Sequence, residues 1–336
     1  MARIAIVTPA GAGTRTGNRH TAERWAQLLR GAGHRVAVAP EWRGQPCDAL
    51  VALHAHRSHD SVARYRAAHP RGALVVMLTG TDLYRDLPES PAARRSLELA
   101  DRIVVLQEDA KRLLGAALRR KTRVVYQSAA PVVRHAPPAR CFRVAVIGHL
   151  RDVKDPFRAV AALALLADRP ELEVVQLGGA LDPALAEEAR RWMAREPRYR
   201  WLGSVPHGRA LRELARSHVL VVSSKMEGGA NVIAEAARIG TPVLASRISG
   251  NLGMLGLRYP GYYRLGDERE LARLIARAVD EPAYYRRLAA GLRARRRLFA
   301  PVAERAAVLR VLREALHRSS SPMRLRTGSL DQSSSP

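Results

Sequence analysis

Short runs rich in β-branched residues alternate along this chain with longer amphipathic segments. The first third contains the strand-like runs RIAIVTP, HRVAVAP and ALVALHA, and the helical pattern HTAERWAQLLRGAG separates the first two. Strands that follow one another through a helix lie parallel and are joined in a right-handed sense. This order therefore predicts an α/β fold built on parallel sheets.

The alternation is interrupted once, at residues 129–141, where AAPVVRHAPPARC is rich in proline and lacks periodicity. The alternation of strand-like and helical segments resumes with FRVAVIGHL. A chain of 336 residues also suits two domains better than a single hydrophobic core. We therefore predict two doubly wound, Rossmann-like parallel-sheet domains that face each other across a cleft. Their predicted limits are residues 1–135 and 141–281, followed by closing helices at 282–318 and a disordered tail at 319–336.

The chain carries 56 basic and 31 acidic side chains, a formal charge of +25. Almost all of the basic residues are arginines dispersed over predicted helices, and aromatic residues make up only 5%. Binding of single-stranded nucleic acid relies on aromatic stacking platforms, so we expect no nucleic-acid partner. Steeply salt-dependent binding to duplex DNA is the alternative that the net charge leaves open.

Other features limit the class of protein. No long uncharged apolar run is present, and the apolar run at the N-terminus is only a few residues long, so we expect no membrane span and a cytoplasmic location. Cys47 and Cys141 do not form a disulfide framework. Because no D-x-D-type acidic pair follows a strand, we predict that neither a metal ion nor another cofactor is needed.

The stretch SSKMEGGANVIAEA, residues 223–236, predicts a glycine turn that opens a helix. The amides and the positive end of such a helix form a natural diphosphate site, which Gly228 and Gly229 let the ligand approach closely. Glu235, one turn into the helix, can accept two hydrogen bonds from a ribose diol, and Glu227 can accept them from sugar hydroxyls. The alternative is a first-turn glutamate that stabilises the helix dipole beside a solvated loop glutamate.

A second loop, in VIGHLRDVKDPFRAV, follows a predicted strand that ends at Gly148. It supplies His149, Arg151 and Lys154. Cations on such a loop offset the charge that builds on a nucleoside diphosphate as the glycosidic bond breaks. A solvated basic loop is the alternative.

Three predicted loops of the first domain point to the same cleft. The glycine-rich loop of TPAGAGTRTGNR lacks the G-x-G-x-x-G spacing, so it indicates a general anion cradle. His54 ends a strand and is either a general base or anion partner, or a structural residue. The acceptor-binding residues predicted here are Gly11, Gly13, Arg15, Asn18, Arg19, Thr79, Gly80, Thr81 and Asp82.

The run from residue 223 to 246 resembles the donor-site signature of the family 4 glycosyltransferases, which have the GT-B fold. The resemblance implies UDP-sugar binding, with Arg151 and Lys154 as the diphosphate clamp. WLGSVP, residues 201–206, is similar to the loop that holds uracil, and the closing helices match those that cross back to the first domain. The implied UDP-sugar-binding residues are Gly148, His149, Gly203, Val205, Gly228, Gly229, Ala230, Asn231 and Glu235.

Two residues depart from the family pattern, because an aromatic residue usually stands at the position of Gly229 and a glycine at that of Asp155. GNRHTAERWAQLL, LTGTDLYRDL, GHLRDVKDPFRA, YRWLG and SSKMEGGANVIAEA, the last continuing as ASRISGNLGMLGLRYPGYY, are instead similar to a narrower branch. That branch is the selenosugar synthases of selenoneine biosynthesis.

The branch implies that UDP-N-acetylglucosamine and selenophosphate give 1-seleno-N-acetylglucosamine, UDP and phosphate. It also implies a functional link to other enzymes of selenoneine biosynthesis. For this reaction we predict Arg151, Lys154, Glu227 and His54 as the catalytic residues. The alternative is an ordinary retaining family 4 glycosyltransferase whose acceptor is a sugar, a lipid or a polyol.

Overall fold

The structure, a computed structural model, describes residues 1–9 and 17–320, the last three without their side chains. Within these residues the strands form two six-stranded sheets, and every strand pair is parallel. Helices connect most of the consecutive strands. The predicted α/β fold with two doubly wound parallel sheets is therefore confirmed.

The first sheet has the strand order β2-β1-β3-β4-β5-β6. Its strands are β1 (Arg3–Val7), β2 (Arg35–Ala39), β3 (Ala49–Leu53), β4 (Ala73–Met77), β5 (Arg102–Val105) and β6 (Thr122–Val124). Its helices are α1 (Gly17–Arg30), α2 (His59–Ala68), α3 (Leu87–Glu89), α4 (Pro91–Leu99) and α5 (Ala116–Arg120), with a π-helical turn at Asp82–Asp86 and a 3₁₀ turn at Asp109–Leu113.

The second sheet has the order β12-β11-β10-β7-β8-β9. Its strands are β7 (Phe142–Ile147), β8 (Leu172–Leu177), β9 (Tyr199–Trp201), β10 (Val219–Val222), β11 (Val243–Ser246) and β12 (Tyr262–Tyr263). Its helices are α6 (Arg158–Ala164), α7 (Pro183–Arg195), α8 (His207–Ala215), α9 (Asn231–Ile239), α10 (Ser249–Leu255), α11 (Glu268–Asp280) and α12 (Pro282–Arg295), with 3₁₀ turns at Asp152–Lys154 and Arg296–Phe299.

The local sequence explains these elements. Every residue of β3 and β4 is buried, as expected for strands that helices cover on both faces. Helix α9 ends where Gly240 adopts a left-handed conformation with φ of 98°, a geometry that glycine reaches without strain. Residues 125–141 contain no helix or strand, and the predicted limits of the domains stay predictions.

The last helix, α13 (Pro301–Ser320), returns to the first sheet. Helix α12 still packs in the core of the second sheet, together with Phe299. From Val308 onward α13 contributes buried side chains to the core formed by β1, β3 and β4. Glu314 accepts hydrogen bonds from Arg102 and Arg123 at 2.6 and 2.9 Å. The C-terminal segment therefore ties the two domains together.

The packing of α13 predicts a position-dependent loss of stability on shortening a valine. Val311 is 1% exposed and Val302, on the same helix, is 74% exposed. We expect Val311→Ala to lower the free energy of unfolding by about 2 kcal/mol, because two buried methyl groups are lost and a cavity remains. The control Val302→Ala should stay within about 0.5 kcal/mol of the native protein.

Urea titration followed by far-ultraviolet circular dichroism measures both changes. Equal losses in the two variants would contradict the packing described for α13.

Candidate functional site

A crevice lies at the carboxyl ends of β7 and β10, where the strand order of the second sheet reverses. At such a point the loops after the two strands run in opposite directions and leave room for a ligand. Residues 148–157 follow β7 and residues 223–230 follow β10. The residues that line the crevice include Gly148, His149, Lys154, Ser223, Ser224 and Glu227.

The ammonium group of Lys154 forms an ion pair with Oε1 of Glu227. The hydroxyl of Ser224 donates a hydrogen bond of 2.7 Å to the same oxygen. The Glu227 side chain is 11% exposed and that of Lys154 is 34% exposed. The structure therefore brings together the cation predicted for the diphosphate and the carboxylate predicted for the sugar.

Further bonds fix the loop that carries Lys154. The hydroxyl of Ser223 donates to the carbonyl oxygens of Lys154 and Asp155 at 3.0 and 2.8 Å. Lys225 binds both the Val153 carbonyl oxygen, through its backbone amide at 2.9 Å, and the carboxylate of Asp152 at 2.7 Å. Because these bonds join the loops after β7 and β10, Lys154 is held in place before a ligand arrives.

Asp155 has the left-handed backbone angles φ 46° and ψ 60°. This conformation explains why a glycine is usual at this position, since glycine adopts it at no steric cost and aspartate tolerates it. The guanidinium group of Arg158 holds the Asp155 carboxylate at 2.8 Å. Arg151, the other predicted cation, is exposed, and among the described residues no ion pair to it is found.

Helix α9 supplies the other half of the crevice. Ala230 is its N-cap residue and has no side-chain acceptor, so the first amides of the helix lack a side-chain cap. Asn231 is the first helical residue. The combination of uncapped amides and the helix dipole favours an anion at this end.

Glu235 lies one turn into α9 with its side chain 15% exposed. Nε2 of His207 lies 2.8 Å from its Oε1, and this hydrogen bond raises the pKa of His207. His207 was not predicted from the sequence. Its place in WLGSVPHG, directly after the predicted uracil loop, is the signal that could have indicated it.

Within that loop, the Gly203 carbonyl accepts a hydrogen bond of 2.9 Å from the Gly178 amide, and Val205 packs against β8. His149 is exposed and lies near this loop, because a Cβ atom on Gly179 would lie 3.3 Å from Cβ of Ser204 and 3.7 Å from Nδ1 of His149. These residues are close enough together to form one site, and their predicted contacts with a UDP-sugar stay predictions.

Gly228 and Gly229 lie against the first domain. A Cβ atom on Gly228 would overlap the carbonyl oxygen of Thr79, and one on Gly229 would lie 2.8 Å from Cβ of Leu106. The space that a side chain would need is thus filled by loops of the other domain. Close approach between domains accounts for both glycines without reference to a ligand.

On the first domain, His54 is 1% exposed and has a left-handed backbone with φ of 73°. The Arg57 amide donates to its Nδ1 at 3.3 Å, so Nε2 carries the proton and donates to the Thr81 hydroxyl at 3.2 Å. Burial lowers the pKa of His54. The ring is therefore neutral, and it lies beneath Thr81 rather than on the surface of the cleft.

Asp82 is fully buried, and both of its carboxylate oxygens are engaged. One oxygen accepts from the Ala55 amide at 3.0 Å, and the other accepts from the amides of Thr79 and Gly80 at 2.8 and 2.9 Å. Its carboxylate holds the loops after β3 and β4 together, which differs from the direct acceptor contact predicted for it. The physical reason is that an aspartate near the start of a turn satisfies nearby amides.

The structure describes only part of the predicted anion cradle. Gly11, Gly13 and Arg15 lie outside the described residues. Asn18 and Arg19 lie in the first turn of α1, where Nε of Arg19 binds Glu23 at 2.6 Å. The role of these residues in binding an acceptor stays a prediction.

Two features of residues 1–9 and 17–320 concern binding of a metal ion and crossing of a bilayer. No group of three or more His, Cys, Asp or Glu side chains there is arranged to hold a metal ion. No helix in the same residues has the length and apolar character to cross a bilayer. Independence from metal stays a prediction.

Known proteins share this architecture. Residues 134–295 match the family described as Glycosyl transferases group 1. The structure superposes with a TM-score of 0.71 on Anabaena Alr3699/HepE in complex with UDP and glucose, at 18% identity over 93% of this chain and 100% of that one. Sucrose-phosphate synthase from Thermosynechococcus elongatus gives a TM-score of 0.73 at 18% identity, over 94% of this chain and 100% of that one.

One curated relative is the D-inositol 3-phosphate glycosyltransferase of Corynebacterium glutamicum (strain R), which is 32% identical over 114 residues. The match covers 32% of this chain and 27% of the relative, so the chain spans about a quarter of that protein's length. Residues 134–295 are therefore similar to the glycosyl transferases group 1 family, and the described chain has the GT-B fold.

Proposed function

We propose that this protein is a glycosyltransferase that takes its sugar from a UDP-sugar donor bound in the crevice of the second domain. The Lys154–Glu227 ion pair beside the uncapped start of α9 carries the proposal, because it puts a cation and a sugar-binding carboxylate at one diphosphate site. We assign Glu235, one turn further, to the ribose. The UDP and glucose in the complex of the similar Anabaena protein support this assignment.

Each donor-site group has a distinct task. The first amides of α9 and the ammonium group of Lys154 offset the negative charge that grows on the diphosphate as the glycosidic bond breaks. Arg151, exposed on the same loop, adds a second cation. Glu227 keeps one carboxylate oxygen for Lys154 and Ser224, and its other oxygen accepts hydrogen bonds from the sugar.

We further propose that the donor is UDP-N-acetylglucosamine and the acceptor selenophosphate. A selenium–carbon bond forms at the anomeric carbon, the bond from that carbon to the diphosphate oxygen breaks, and UDP leaves. Water then cleaves the phosphorus–selenium bond, which gives phosphate and 1-seleno-N-acetylglucosamine. The support is the match of five motifs from both domains to the selenosugar synthases.

The chemistry of the first domain agrees with such an acceptor. Selenophosphate brings its own charged and polarisable nucleophile, so a strong general base is less needed than for a sugar hydroxyl. His54, the only base predicted there from the sequence, is buried and bonded to Thr81. An ordinary retaining glycosyltransferase with a sugar, lipid or polyol acceptor shares every donor-site residue and is the second candidate.

An activity assay separates these candidates. Purified protein is mixed with UDP-N-acetylglucosamine and freshly prepared selenophosphate, and UDP release and product mass are followed. Selenophosphate-dependent UDP release with a selenium-bearing sugar is the expected result. Turnover only with a hydroxyl acceptor would favour the second candidate, and failure to bind any UDP-sugar would refute the donor site.

Removing the cation at the diphosphate should slow turnover more than it weakens binding. We expect Lys154→Ala to lower kcat by about 100-fold with little change in KM, because the leaving-group charge is largest in the transition state. Lys111→Ala is the matched control, since Lys111 has a similar exposed fraction of 30% and also pairs with a glutamate, Glu108. Steady-state kinetics test both variants, and an unchanged kcat in Lys154→Ala would exclude the clamp.

The pair of His207 and Glu235 predicts a pH-dependent contact. Because Glu235 raises the pKa of His207 above 6.5, the stabilisation from the pair is fully present below about pH 6.5 and is lost as the pH rises through the folded-state pKa. In Glu235→Gln we expect the pKa of His207 to fall toward 6.5 and UDP binding to weaken. Histidine NMR titrations of the variant and the native protein measure the shift.

No fall in the His207 pKa would show that the contact with Glu235 does not form in solution.

A further inference from the structure

Helix α10 has the sequence SGNLGML and lies in the motif ASRISGNLGMLGLRYPGYY, to which no role in the donor site has been assigned. It follows β11, next to the loop after β10, and contacts the 3₁₀ turn Asp109–Leu113 of the first domain. Gly250 and Gly253 are both buried, and they lie three residues apart, close to one turn of the helix. Each glycine faces a different neighbour.

Gly250 packs directly on the residue that pairs with Lys154. A Cβ atom on Gly250 would overlap the carbonyl oxygen of Glu227 and would lie 2.7 Å from its Cβ atom. Since real Cβ contacts are not this short, the backbone of α10 fixes how far the loop of Glu227 can move toward the helix. The side-chain amide of Asn251 donates hydrogen bonds to the carbonyl and hydroxyl of Ser246 at 2.9 and 3.1 Å, and these bonds anchor the start of α10.

Gly253 packs on the first domain. A Cβ atom there would overlap Oε1 of Gln107 and would lie 2.9 Å from the amide nitrogen of Asp109. Gln107 is fully buried, its Oε1 accepts from the Ala110 amide at 3.0 Å, and its Nε2 donates to the Tyr84 hydroxyl at 3.0 Å. With both ends of its amide bonded, Gln107 has little freedom to move aside.

Polar contacts surround the same helix. The Tyr84 hydroxyl donates to the hydroxyl of Ser249 at 3.4 Å, a long and weak bond. The Tyr126 hydroxyl donates to the Gly253 carbonyl at 3.1 Å, and Arg295 donates to that carbonyl and to the Tyr126 oxygen at 2.9 Å each. The first domain is thus bonded to both ends of α10.

We propose that Gly250 and Gly253 are positioning residues. Because they lack side chains, α10 contacts both the first domain and the loop of Glu227, and the first domain fixes the position of Glu227 through this helix, which we call the spacer. Neither glycine touches substrate. Gln107 packs against α10 at Gly253, and α10 packs against Glu227 at Gly250. Contact between the domains therefore holds the Lys154–Glu227 pair in position. The effect on catalysis rests on the proposed function, whereas the effect on the position of the Glu227 loop does not.

The test uses the full chain with Gly253→Ala and Gly250→Ala, and with Gly115→Ala as control. Gly115 has φ of −60° and ψ of 159°, angles that alanine adopts, and a Cβ atom there would meet nothing within 4 Å. Hydrogen exchange of the ligand-free protein is followed at residues 224–230. We expect faster exchange in both test variants and native exchange in the control.

Kinetics give a second readout that a general loss of stability would not produce. We expect kcat for UDP-sugar turnover to fall by about 10- to 100-fold in Gly253→Ala, since small misplacements of a reacting group have effects of this size. The affinity for UDP alone should change less than kcat, because Glu227 serves the sugar and Glu235 the nucleotide.

A compensating change tests the path through Gln107. In Gly253→Ala, the further change Gln107→Ser removes the amide that the new methyl group overlaps, so part of the lost protection and turnover should return. If Gly253→Ala does not fold, Tyr84→Phe removes the hydroxyl between Gln107 and Ser249 without adding volume, and it should also speed exchange at residues 224–230.

Native exchange at residues 224–230 in folded Gly253→Ala, or in Tyr84→Phe, would overturn the proposal. If the native protein neither binds nor turns over a UDP-sugar, the proposed function is refuted. The exchange experiment would still test the role of the spacer, because it uses the ligand-free protein.

Discussion

The ion pair of Lys154 and Glu227 joins the two loops on which the donor site depends. The two loops leave the neighbouring strands β10 and β7 at the strand-order reversal, and the bond from the Lys225 amide to the Val153 carbonyl also joins them. With Glu227 only 11% exposed, removal of Lys154 would leave a largely buried carboxylate without its cation, which is costlier than losing a surface pair. The pair therefore both organises the crevice and supplies its charges.

The second constraint is backbone contact between the domains. Gly228, Gly229 and Gly253 each fill a place where a side chain would meet the first domain, at Thr79, Leu106 and Gln107. Three such contacts leave little room for sliding, because packed interiors are not continuously deformable. The donor loop is thus shaped from one side by ion pairs within its own domain and from the other by the neighbouring domain.

Local patterns were enough to predict the fold, because each depends on neighbours in sequence. The strand-like runs RIAIVTP, HRVAVAP and ALVALHA correspond to β1, β2 and β3, and the helical pattern HTAERWAQLLRGAG corresponds to α1. The site was predicted less completely. Bonds between residues far apart in sequence decide that Asp82 reaches the Ala55 amide across 27 residues, and that His207 meets Glu235 across 28 residues.

The acceptor side differs in its electrostatics from the donor side. Near Thr81 the structure offers a hydroxyl and an imidazole whose pKa is lowered by burial, while three backbone amides are bonded to Asp82 and the Asp86 carboxylate lies 3.6 Å from Nε2 of His54. An anionic acceptor such as selenophosphate therefore needs its positive partners from elsewhere. Arg15 and Arg19 are the cations predicted for such an acceptor; Arg19 pairs with Glu23 in the structure, and both acceptor contacts stay predictions.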